Sequence, residues 1–395
     1  MSALDDCFLH DRDRLRHDEA LGMLSRLSPV IGRETVGLNG AFECVAAVSV
    51  AAPFDVPRHT NAAVDGYAYA HDGPRELSIS ARIAAGQTPE PLASGTAARI
   101  FTGAPLPEGA DTVAMQEDCE RNADTVRLPD IARGRNVRAA GEDVRAGTAI
   151  IEPGRRLRAA DIAALASFGL ETVEVHERLR VALFSTGDEL GQQVHDANRP
   201  MLRALSARLP VRLTDGGVLA DDPVAVRDAL SIAAETHDAI LTTGGASRGE
   251  EDHVVATLDA IGRRQAWQIA VKPGRPLTFG RIGEAAFLGL PGNPVAAFVC
   301  FLLYARPALL RLAGAAWDEP ERYALPAGFS LASKPDRREF LRGRVANGRL
   351  EKYPRDGSGL ISSLRESDGL IEVPEDVTRV EEGDRLAFIP FTALA

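Results

Sequence analysis

The stretch T-T-G-G-A-S-R-G-E-E-D-H, Thr242 to His253, joins bare backbone to acidic side chains directly after an apolar run. Glycines in such a loop let an anion approach backbone N–H groups, because they carry no side chain. A helix that starts near Asp252 offers the positive end of its dipole to the same anion. We therefore predict an anion site at this strand end, and its candidate contacts are Gly244, Gly245, Ser247 and Gly249.

Two further strand ends carry residues of the same kind. One predicted strand ends at Thr186 and is followed by G-D-E-L, and another ends at Leu290 and is followed by P-G-N-P. Ligands of an open α/β sheet bind beyond the carboxyl ends of its strands, so we expect the three ends to meet. Any one such loop usually forms only a turn and a helix cap, but three together favour a ligand site. The added candidates are Thr186, Gly187, Asp188, Pro291, Asn293 and Pro294.

Carboxylates are also frequent at these predicted strand ends. They would repel an anionic ligand unless a hard cation bridges them, and oxygen ligands of this kind suit Mg²⁺. Some members of the charge run simply face water, as exposed charges usually do. The candidate magnesium ligands are Asp188, Glu189, Asp221, Asp222 and Asp252, of which Asp188 and Asp252 are the strongest.

The segment A-V-K-P-G-R-P, residues 270–276, supplies positive charge. Lys272 lies at the end of a predicted strand, and Arg275 follows it after proline and glycine. A lysine ammonium is a compact charge that reaches phosphate or oxyanion oxygens with a shape that arginine cannot copy. The alternative is an ordinary surface cation beside a turn, but the rigid P-G-R-P frame favours the binding role.

Other chemistries receive little support from the motifs. G-A-S-R-G, residues 245–249, matches the nucleophile elbow of serine hydrolases, in which the catalytic histidine lies well downstream. The only histidine after Ser247 is His253, in the next predicted helix, so a hydrolase triad is disfavoured. Neither a G-K-[ST] phosphate loop nor an H-E-x-x-H zinc motif occurs in the sequence.

Composition and charge restrict the class of protein. The net charge is −11 and the basic residues are dispersed, which opposes binding to a nucleic-acid backbone. The four cysteines form no C-x-x-C pair, which argues against a disulfide framework and fits a reducing cytoplasm. We expect neither a signal peptide nor an apolar run of membrane-span length. These observations predict a soluble cytoplasmic protein with neither nucleic acid nor membrane as partner.

The pattern of apolar residues predicts the organisation of the chain. Helices over 18–28 and 159–169 flank short β-like runs from about 51 to 138, so the β-rich module is expected to be an insertion. Alternating strands and helices from Arg180 indicate a parallel sheet wrapped by helices, and short strands beyond Pro320 indicate a compact β-domain. The predicted elements of the α/β part are strands 180–186, 211–213, 239–243 and 286–290 and helices 199–209, 223–234, 252–261 and 295–312.

An ordered set of motifs resembles the molybdopterin molybdenumtransferase family, of the MoeA and gephyrin E-domain type. Each motif is modest alone, but the set covers nearly the whole chain and is highly specific. The motifs are N-A-A-V-D-G-Y-A (61–68), R-I-F-T-G-A-P-L-P-E-G-A-D (99–111), G-E-D-V-R-A-G (141–147), F-S-T-G-D-E-L (184–190), D-A-N-R (196–199), D-D-P (221–223), T-G-G-A-S-R-G-E-E-D (243–252), K-P-G-R-P (272–276) and G-L-P-G-N-P-V-A-A (289–297).

The resemblance implies an enzyme of molybdenum cofactor synthesis. Such an enzyme takes adenylylated molybdopterin and molybdate, releases AMP with help from Mg²⁺, and leaves molybdenum on the dithiolene. It also implies a homodimer with other molybdenum cofactor biosynthesis proteins as partners, and a site between the α/β domain of one subunit and the β modules of the other. By motif match the implied catalytic residues are Asp65, Asp143, Glu189, Asp252 and Lys272, and Thr102, Asp221, Asp222, Arg342 and Ser358 are further site positions.

The fold class expected from pattern and resemblance together is multidomain α/β plus β. A central three-layer α/β domain, MogA-like with a mostly parallel sheet, is joined by an inserted β-rich module, a helical segment and a small C-terminal β-barrel. The expected domains are a discontinuous helical and linker domain (1–50 and 140–178), the inserted β-rich domain (51–139), the α/β molybdopterin-binding domain (179–318) and the C-terminal β-barrel (319–395).

Two alternatives to the transferase remain open at the level of sequence. A divergent, non-catalytic molybdopterin-binding or scaffolding paralogue is favoured by Gln268, which stands where the family often has a second lysine. Retention of Asp65, Asp143, Asp252 and Lys272 favours the enzyme instead. A molybdopterin adenylyltransferase is the other alternative, and the additional β modules count against it.

Overall fold

The computed structural model describes residues 14–187, 190, 194–245, 253–274, 276–355, 357 and 359–394. The chain forms two compact units. The first contains the described residues within Met1–Val48, Pro153–Ile162 and Thr172–Ala395, and the second contains Ser49–Glu152 and Ala163–Glu171.

The first helix among the described residues is α1 (His17–Leu24), which is shorter than the predicted helix over 18–28. The backbone leaves the helix at Ser25, and Pro29 disfavours a helical conformation at the residue before it. Strand β1 (Arg33–Gly37) and a short 3₁₀ turn (Leu38–Gly40) follow in the first unit.

The second unit is built from short strands, as the glycine- and proline-broken sequence predicts. Its main sheet has six strands in the order β7-β4-β6-β5-β9-β8, antiparallel except for the pair of β5 and β6. The strands are β2 (Val50–Ala51), β3 (Asn61–Ala62), β4 (Gly66–Tyr69), β5 (Glu76–Ile83), β6 (Thr96–Ile100), β7 (Thr112–Met115), β8 (Glu120–Asn122), β9 (Thr125–Arg127), β10 (Val137–Arg138) and β11 (Ala149–Ile151), with a 3₁₀ turn at Gln116–Asp118.

Helix and strand then alternate, which confirms the predicted α/β region. The central sheet has the order β14-β13-β15-β19-β18-β16, and its neighbours from β14 to β19 are parallel. The elements are α2 (Ala159–Ser167), β12 (Thr172–His176), β13 (Leu179–Thr186), α3 (Asn198–Ser206), β14 (Val211–Leu219), α4 (Pro223–Thr236), β15 (Ala239–Thr243), α5 (His253–Ile261), β16 (Arg263–Gln268), β17 (Val271–Lys272), β18 (Pro276–Ile282) and β19 (Ala285–Leu290).

Two features of this sheet differ from the sequence prediction. Strands β16 and β18 add an antiparallel edge, and β14 extends to Leu219 instead of ending at Leu213. The extension crosses a β-bulge at which Gly216 packs beneath Phe184. A Cβ atom at Gly216 would lie 2.1 Å from the Phe184 ring, so only glycine lets the strand continue there.

One long helical stretch follows the sheet as α6 (Pro294–Cys300), a π-helical turn (Phe301–Ala305) and α7 (Arg306–Leu312). The predicted single helix over 295–312 is thus interrupted by a π segment. By length and composition Pro294–Leu312 could cross a membrane, so the expectation of no such apolar run is wrong. Inside the protein, 72% of its most apolar window is buried, as in the core helix of a soluble protein.

The remaining residues form the predicted C-terminal β region. Its main sheet has the order β17-β22-β24-β26-β20, with β23 paired to β22. These strands do not by themselves define a barrel, so the small barrel stays a prediction. The elements are β20 (Tyr323–Pro326), β21 (Leu331–Ala332), β22 (Arg338–Ala346), β23 (Arg349–Lys352), α8 (Ser362–Arg365), β24 (Gly369–Val373), β25 (Arg379–Val380), β26 (Arg385–Pro390) and α9 (Phe391–Leu394).

One apolar core joins α1, the central sheet, the long helix and the C-terminal sheet. His17 on α1 lies within it, with Nδ1 2.8 Å from the hydroxyl of Tyr304 and its ring 5.2 Å from that of Phe340. Nearby, Arg338 contacts Asp18 through two hydrogen bonds of 3.0 and 3.1 Å. Burial of the imidazole, with Arg338 close by, lowers the pKa of His17 from 6.5 to about 3.

Acidification is expected to lower the free energy of unfolding through His17. Below pH 6.5 the unfolded chain takes up a proton at His17 before the folded chain does, so stability falls until about pH 3. The slope from this one group is at most about 1.4 kcal/mol per pH unit. Urea unfolding at pH 7.5 and 5.5 measures it: we expect His17→Gln to be the less stable protein at pH 7.5, and to lose less stability than the wild type on acidification.

His195→Gln provides the matched control, because His195 is exposed in the same unit. It should follow the wild type at both pH values. An equal loss of stability in the wild type and in His17→Gln would contradict the role given to the buried imidazole.

Candidate functional site

The ends of strands β13, β15 and β19 lie side by side at one edge of the central sheet. In the register, Ser185 is opposite Thr243, and Thr243 is opposite Leu290. Because the strands are parallel, their carboxyl ends are level and the chain leaves all three strands at one edge of the sheet. The structure therefore brings together the three strand ends singled out from the sequence, and we call this edge the rim.

Glycines at the rim permit a close approach of the loops to one another. Gly244 has a positive φ of +88°, and a Cβ atom there would lie 2.4 Å from the carbonyl oxygen of Thr186. A Cβ atom at Gly245 would lie 2.7 Å from Val254. The N–H of Gly244 donates to the carbonyl of Leu290 at 3.1 Å. Packing of the protein chain alone thus requires bare backbone here, independently of any ligand.

The buried side-chain amide of Asn198 links the end of β15 to the loop after β19. Asn198, at the start of α3, donates from Nδ2 to Oγ1 of Thr243 at 2.8 Å and to the carbonyl of Gly292 at 2.7 Å. The Thr243 hydroxyl in turn donates to the carbonyl of Pro291 at 3.1 Å. Asn198 belongs to the D-A-N-R motif but was not among the candidate site residues. The signal that could have found it is its position, at the start of a helix that follows a rim strand.

Asp196 fixes the start of α3 in the same way. Its Oδ1 accepts from the backbone N–H groups of Asn198 and Arg199, both at 3.1 Å, and its Oδ2 accepts from the Ser185 hydroxyl at 2.5 Å. Ser185 is fully buried at the end of β13. The helix that carries Asn198 is therefore held to a rim strand by side-chain hydrogen bonds.

Two buried oxygens at the rim have no hydrogen-bond partner among the described residues. They are Oγ1 of Thr186 and Oδ1 of Asn198. Asn198 is only 8% exposed, so bulk water does not compensate it. Buried polar atoms of this kind are usually satisfied, and one left without a partner calls for a ligand or a bound water.

Other rim side chains are occupied as helix caps. Oδ1 of Asn293 accepts from the N–H groups of Val295 and Ala296 at 3.1 and 3.3 Å, ahead of Pro294. Oδ2 of Asp222 accepts from the N–H of Ala225 at 2.8 Å. These bonds satisfy N–H groups of the first helical turn, which have no partner within a helix.

Two of the five candidate magnesium ligands lie in the described part of the chain. Asp221 is 3.9 Å from Nε2 of His253, at the start of α5, and Asp222 follows it. Within the ranges that the structure describes, no group of three or more His, Cys, Asp or Glu side chains could hold a metal ion. Several candidates fall outside those ranges: Asp188, Glu189, Ser247, Gly249, Asp252, Arg275 and Ser358.

Lys272 lies on a strand that pairs with the C-terminal sheet, not with the α/β sheet. Strand β17 runs parallel to β22, with Lys272 opposite Glu339. Nζ of Lys272 donates to Oε2 of Glu339 at 3.0 Å, and the lysine side chain is 47% exposed. Two residues later, Gly274 lies against α6, where its carbonyl accepts from the Cys300 thiol at 3.4 Å.

Gln268 is uncharged, but the side chain of a basic residue lies beside it. Its Oε1 accepts a hydrogen bond of 3.1 Å from Nε of Arg14. The backbone beside it is also tied to the amino-terminal segment, because Leu15 donates to the Gln268 carbonyl at 3.2 Å.

Arg342 is buried and holds a loop of the C-terminal region. Its Nη2 donates to the carbonyl of Gly357 at 3.2 Å, and its Nε donates to the Ser363 hydroxyl at 3.3 Å. The same loop approaches the rim, since a Cβ atom at Gly359 would lie 3.9 Å from Nδ2 of Asn293. We call the loop that contains Gly357 and Gly359 the Arg342 loop. The structure therefore places the Arg342 loop beside the rim of the same chain.

In the second unit, Asp65 is fixed by Thr102. Oδ1 of Asp65 accepts from the Thr102 hydroxyl at 2.7 Å and from its N–H at 2.8 Å. These two hydrogen bonds hold the pKa of the solvent-facing Asp65 carboxyl below its usual value. Arg99 braces the same turn by donating to the carbonyl of Gly66 at 2.8 Å.

Asp143 occupies a different part of the second unit. Its N–H donates to the carbonyl of Val56 at 3.0 Å, and its side chain is exposed. It lines a cavity of about 760 Å³ whose wall also includes Val144, Ser167 and Phe168. The structure thus presents a candidate carboxylate at an open cavity of this unit.

Filling the space at Gly244 is expected to disrupt the rim. Gly244→Ala adds both strain at a positive φ and a clash with Thr186, so we expect a loss of about 3 kcal/mol in the free energy of unfolding. Gly283→Ala is the control, because Gly283 also has a positive φ (+57°) but nothing within 4 Å of its Cβ position. Urea unfolding of both variants separates clash from strain, and equal losses would show that the close approach costs nothing.

Three family models match the chain in order. They are the MoeA N-terminal region (domain I and II) over residues 15–169, a probable molybdopterin binding domain over 182–311 and the MoeA C-terminal region (domain IV) over 324–391. The molybdopterin molybdenumtransferase of Haemophilus influenzae is 33% identical over 392 residues, which cover 94% of this chain and 97% of that protein. The protein of the same name from a Nostoc species is 33% identical and covers 89% of this chain and 87% of its own length.

A solved structure agrees with these matches. The crystal structure of the molybdopterin biosynthesis moeA protein from Pyrococcus horikoshii has a TM-score of 0.83 and 28% identity, over 96% of this chain and 100% of that one. The chain therefore belongs to the molybdopterin molybdenumtransferase family, and it has the multidomain α/β architecture of the MoeA proteins.

Proposed function

We propose that this protein is a cytoplasmic molybdopterin molybdenumtransferase, which inserts molybdenum from molybdate into adenylylated molybdopterin and releases AMP. The observation that carries the proposal is the near full-length similarity to relatives of that name. The rim supports it, because level strand ends with buried oxygens that have no partner among the described residues are a suitable place for a polar, anionic ligand.

The rim binds the pterin nucleotide in this proposal. Backbone N–H groups of the glycine-rich loops approach the phosphate, and the Lys272 ammonium adds positive charge. Thr186 and Asn198 supply oxygens that accept hydrogen bonds from the ligand. Besides Asn198, the proposed contacts supplied by the first unit are Thr186, Gly187, Asp188, Gly244, Gly245, Ser247, Gly249, Lys272, Arg275, Pro291, Asn293, Pro294, Arg342 and Ser358.

Mg²⁺ is part of the proposal, and the described donors fit it by their chemistry. Asp221 and Asp222 offer carboxylate oxygens, which hard cations prefer. Asp222 uses Oδ2 on its helix cap, so Oδ1 is the atom that it can turn to a cation. A bound Mg²⁺ would neutralise part of the charge on the phosphate oxygens. Asp188, Glu189 and Asp252 complete the proposed ligand set.

A homodimer also belongs to the proposal. Asp65, Thr102 and Asp143 lie on the second unit, and we propose that they act at the rim of the other copy. What supports this is the resemblance of the surrounding motifs to those of the family. Other molybdenum cofactor biosynthesis proteins are the proposed partners, and they would deliver the adenylylated pterin.

The finer fold assignment is likewise proposed. It divides the chain into the four domains at 1–50 with 140–178, 51–139, 179–318 and 319–395, and it closes the last into a small barrel. The order of the three matched regions supports this division.

The decisive experiment is release of AMP from adenylylated molybdopterin, with and without molybdate and Mg²⁺. We expect release to depend on both, and Lys272→Ala to lower kcat/KM by about 100-fold, because a cation at the anion site is lost. Lys334→Ala, which removes an exposed lysine, is the matched control and should retain full activity. Binding of the pterin nucleotide without molybdate-dependent release would favour the scaffolding paralogue.

The Asp65 carboxyl provides a test through pH. Thr102→Val removes the stronger of the two hydrogen bonds that lower the Asp65 pKa, so that pKa rises towards 3.8. If Asp65 acts as a carboxylate, the acid limb of the kcat/KM profile for AMP release shifts to higher pH. Thr96→Val is the control. Thr96 lies in the same unit, and its hydroxyl is hydrogen-bonded to Ser80 and to a backbone carbonyl. An unshifted acid limb in Thr102→Val would count against the proposed role of Asp65.

A further inference from the structure

Glu339 is a buried carboxylate held between two cations. It is only 2% exposed, and Nζ of Lys272 donates to its Oε2 at 3.0 Å. On the other side, Nη2 and Nε of Arg337 donate to its Oε1 at 2.6 and 3.2 Å. Burial alone would raise the pKa of Glu339, but the bonds from Arg337 and Lys272 hold it below its usual value. The carboxylate is therefore ionised at neutral pH.

The local charge remains positive in spite of this carboxylate. Lys272 and Arg337 contribute two positive charges and Glu339 one negative charge, so the three side chains carry a net charge of +1. The negative charge of Glu339 is shared between Lys272 and Arg337. It therefore neutralises only part of the positive charge that an anion meets when it approaches Lys272. Glu339 fixes the direction of the lysine without removing its attraction for an anion.

Stability alone is a weak reason for such an arrangement. Replacing a buried ion pair with apolar side chains is often neutral or stabilising, because burying the charges costs as much as their attraction returns. A lysine side chain, by contrast, is long and flexible, and fixing its ammonium group reduces the conformational freedom lost when a ligand binds. The geometry therefore fits a role in placing Lys272.

The backbone two residues after Lys272 packs against helix α6. Gly274 packs on α6, and a Cβ atom at Gly274 would lie 2.2 Å from the sulfur of Cys300. Helix α6 begins directly after Asn293, which belongs to the rim. The strand that carries Lys272 is therefore followed directly by a backbone contact with α6, while the Lys272 side chain bonds a buried carboxylate of the C-terminal sheet.

We propose that Glu339 is a positioning residue, which the C-terminal sheet supplies to hold the Lys272 ammonium in place for the anionic substrate. The proposal rests on the proposed function for the role of Lys272 itself. In this proposal the Lys272–Glu339 contact, which lies within one chain, makes the C-terminal region part of the reaction site. The loop held by Arg342 is a second contribution of the same region.

Glu339→Gln in the full-length protein tests the proposal, since glutamine keeps the shape and one acceptor oxygen but loses the charge. We expect kcat/KM for molybdate-dependent AMP release to fall about 10-fold, as for other residues that orient a functional group. The same substitution in a Lys272→Met background should have no further effect, because its influence passes through Lys272.

Glu372→Gln is the matched control. Glu372 is a buried glutamate of the same sheet, 6% exposed, and it too lies between two cations, Arg322 and Arg338. We expect it to shift the urea midpoint about as much as Glu339→Gln does, with AMP release unchanged. An equal loss of activity in both variants, or a further loss from Glu339→Gln in the Lys272→Met background, would show a merely structural role and overturn the proposal.

A second readout does not depend on catalysis. The chain has only three lysines, Lys272, Lys334 and Lys352, so labelling of each amine by acetic anhydride can be followed by mass spectrometry. We expect Glu339→Gln to raise the labelling rate of Lys272 several-fold and to leave Lys334 and Lys352 unchanged. An unchanged rate at Lys272 would overturn the positioning role. Absence of AMP release by the wild type would instead remove the proposed function, while this result still decides whether Glu339 restrains Lys272.

Discussion

Burial of the long helix Pro294–Leu312 is the constraint on which the first unit depends. Cys300, Phe301 and Tyr304 are fully buried, and the helix shares one core with α1, the central sheet and the C-terminal sheet. Its start lies at the rim, and Gly274 packs directly on its side. Because a close-packed core does not deform continuously, the same packing sets the positions of Asn293 at the rim and of the backbone at Gly274. His17 joins the amino-terminal helix to this arrangement through Tyr304.

The carboxylates of this acidic protein are stabilised in two different ways. Glu339 and Glu372 are buried in one sheet, and each is compensated by two basic side chains. Asp65 faces solvent and is fixed by the hydroxyl and N–H of one threonine. The buried pairs resist screening by salt, whereas an exposed carboxylate is available to a ligand at little desolvation cost. This difference suits Glu339 to positioning and Asp65 to direct contact.

Much of the α/β fold could be predicted because its strands are buried on both faces and therefore read as apolar runs. The rim followed from the rule for parallel sheets, without knowledge of any side chain. Strand β17 could not be assigned to its sheet, because two residues show no periodicity and the partner strand lies far along the chain. The extension of β14 was missed because T-D-G-G reads as a turn, and only the packing of Gly216 beneath Phe184 explains it.

The residues of the candidate site could be predicted from the sequence to about the same extent as the fold. Glycines, aspartates and Lys272 carry their chemistry in their residue types, so the sequence identifies them as candidates. Asn198 and Glu339 act through the direction of a buried side chain and through a partner brought near by tertiary packing. Glu339 has no local sequence signal, because a glutamate in a strand is ordinary, and Asn198 is marked only by its position at the start of a helix that follows a rim strand. The structure therefore adds residues whose part in the proposed site depends on tertiary packing.

Helix caps and ligand contacts compete for the same oxygens at the rim. Asn293 and Asp222 already accept backbone hydrogen bonds, so much of their effect lies in fixing where α6 and α4 begin. Thr186 and Asn198 differ, because each has a buried oxygen without a partner in the described part of the chain. Leaving such an atom unpaired costs about 1–3 kcal/mol, and a ligand that donates to it removes this cost only on binding. In the proposed function, discrimination between ligands at the rim therefore rests more on Thr186 and Asn198 than on the capping residues.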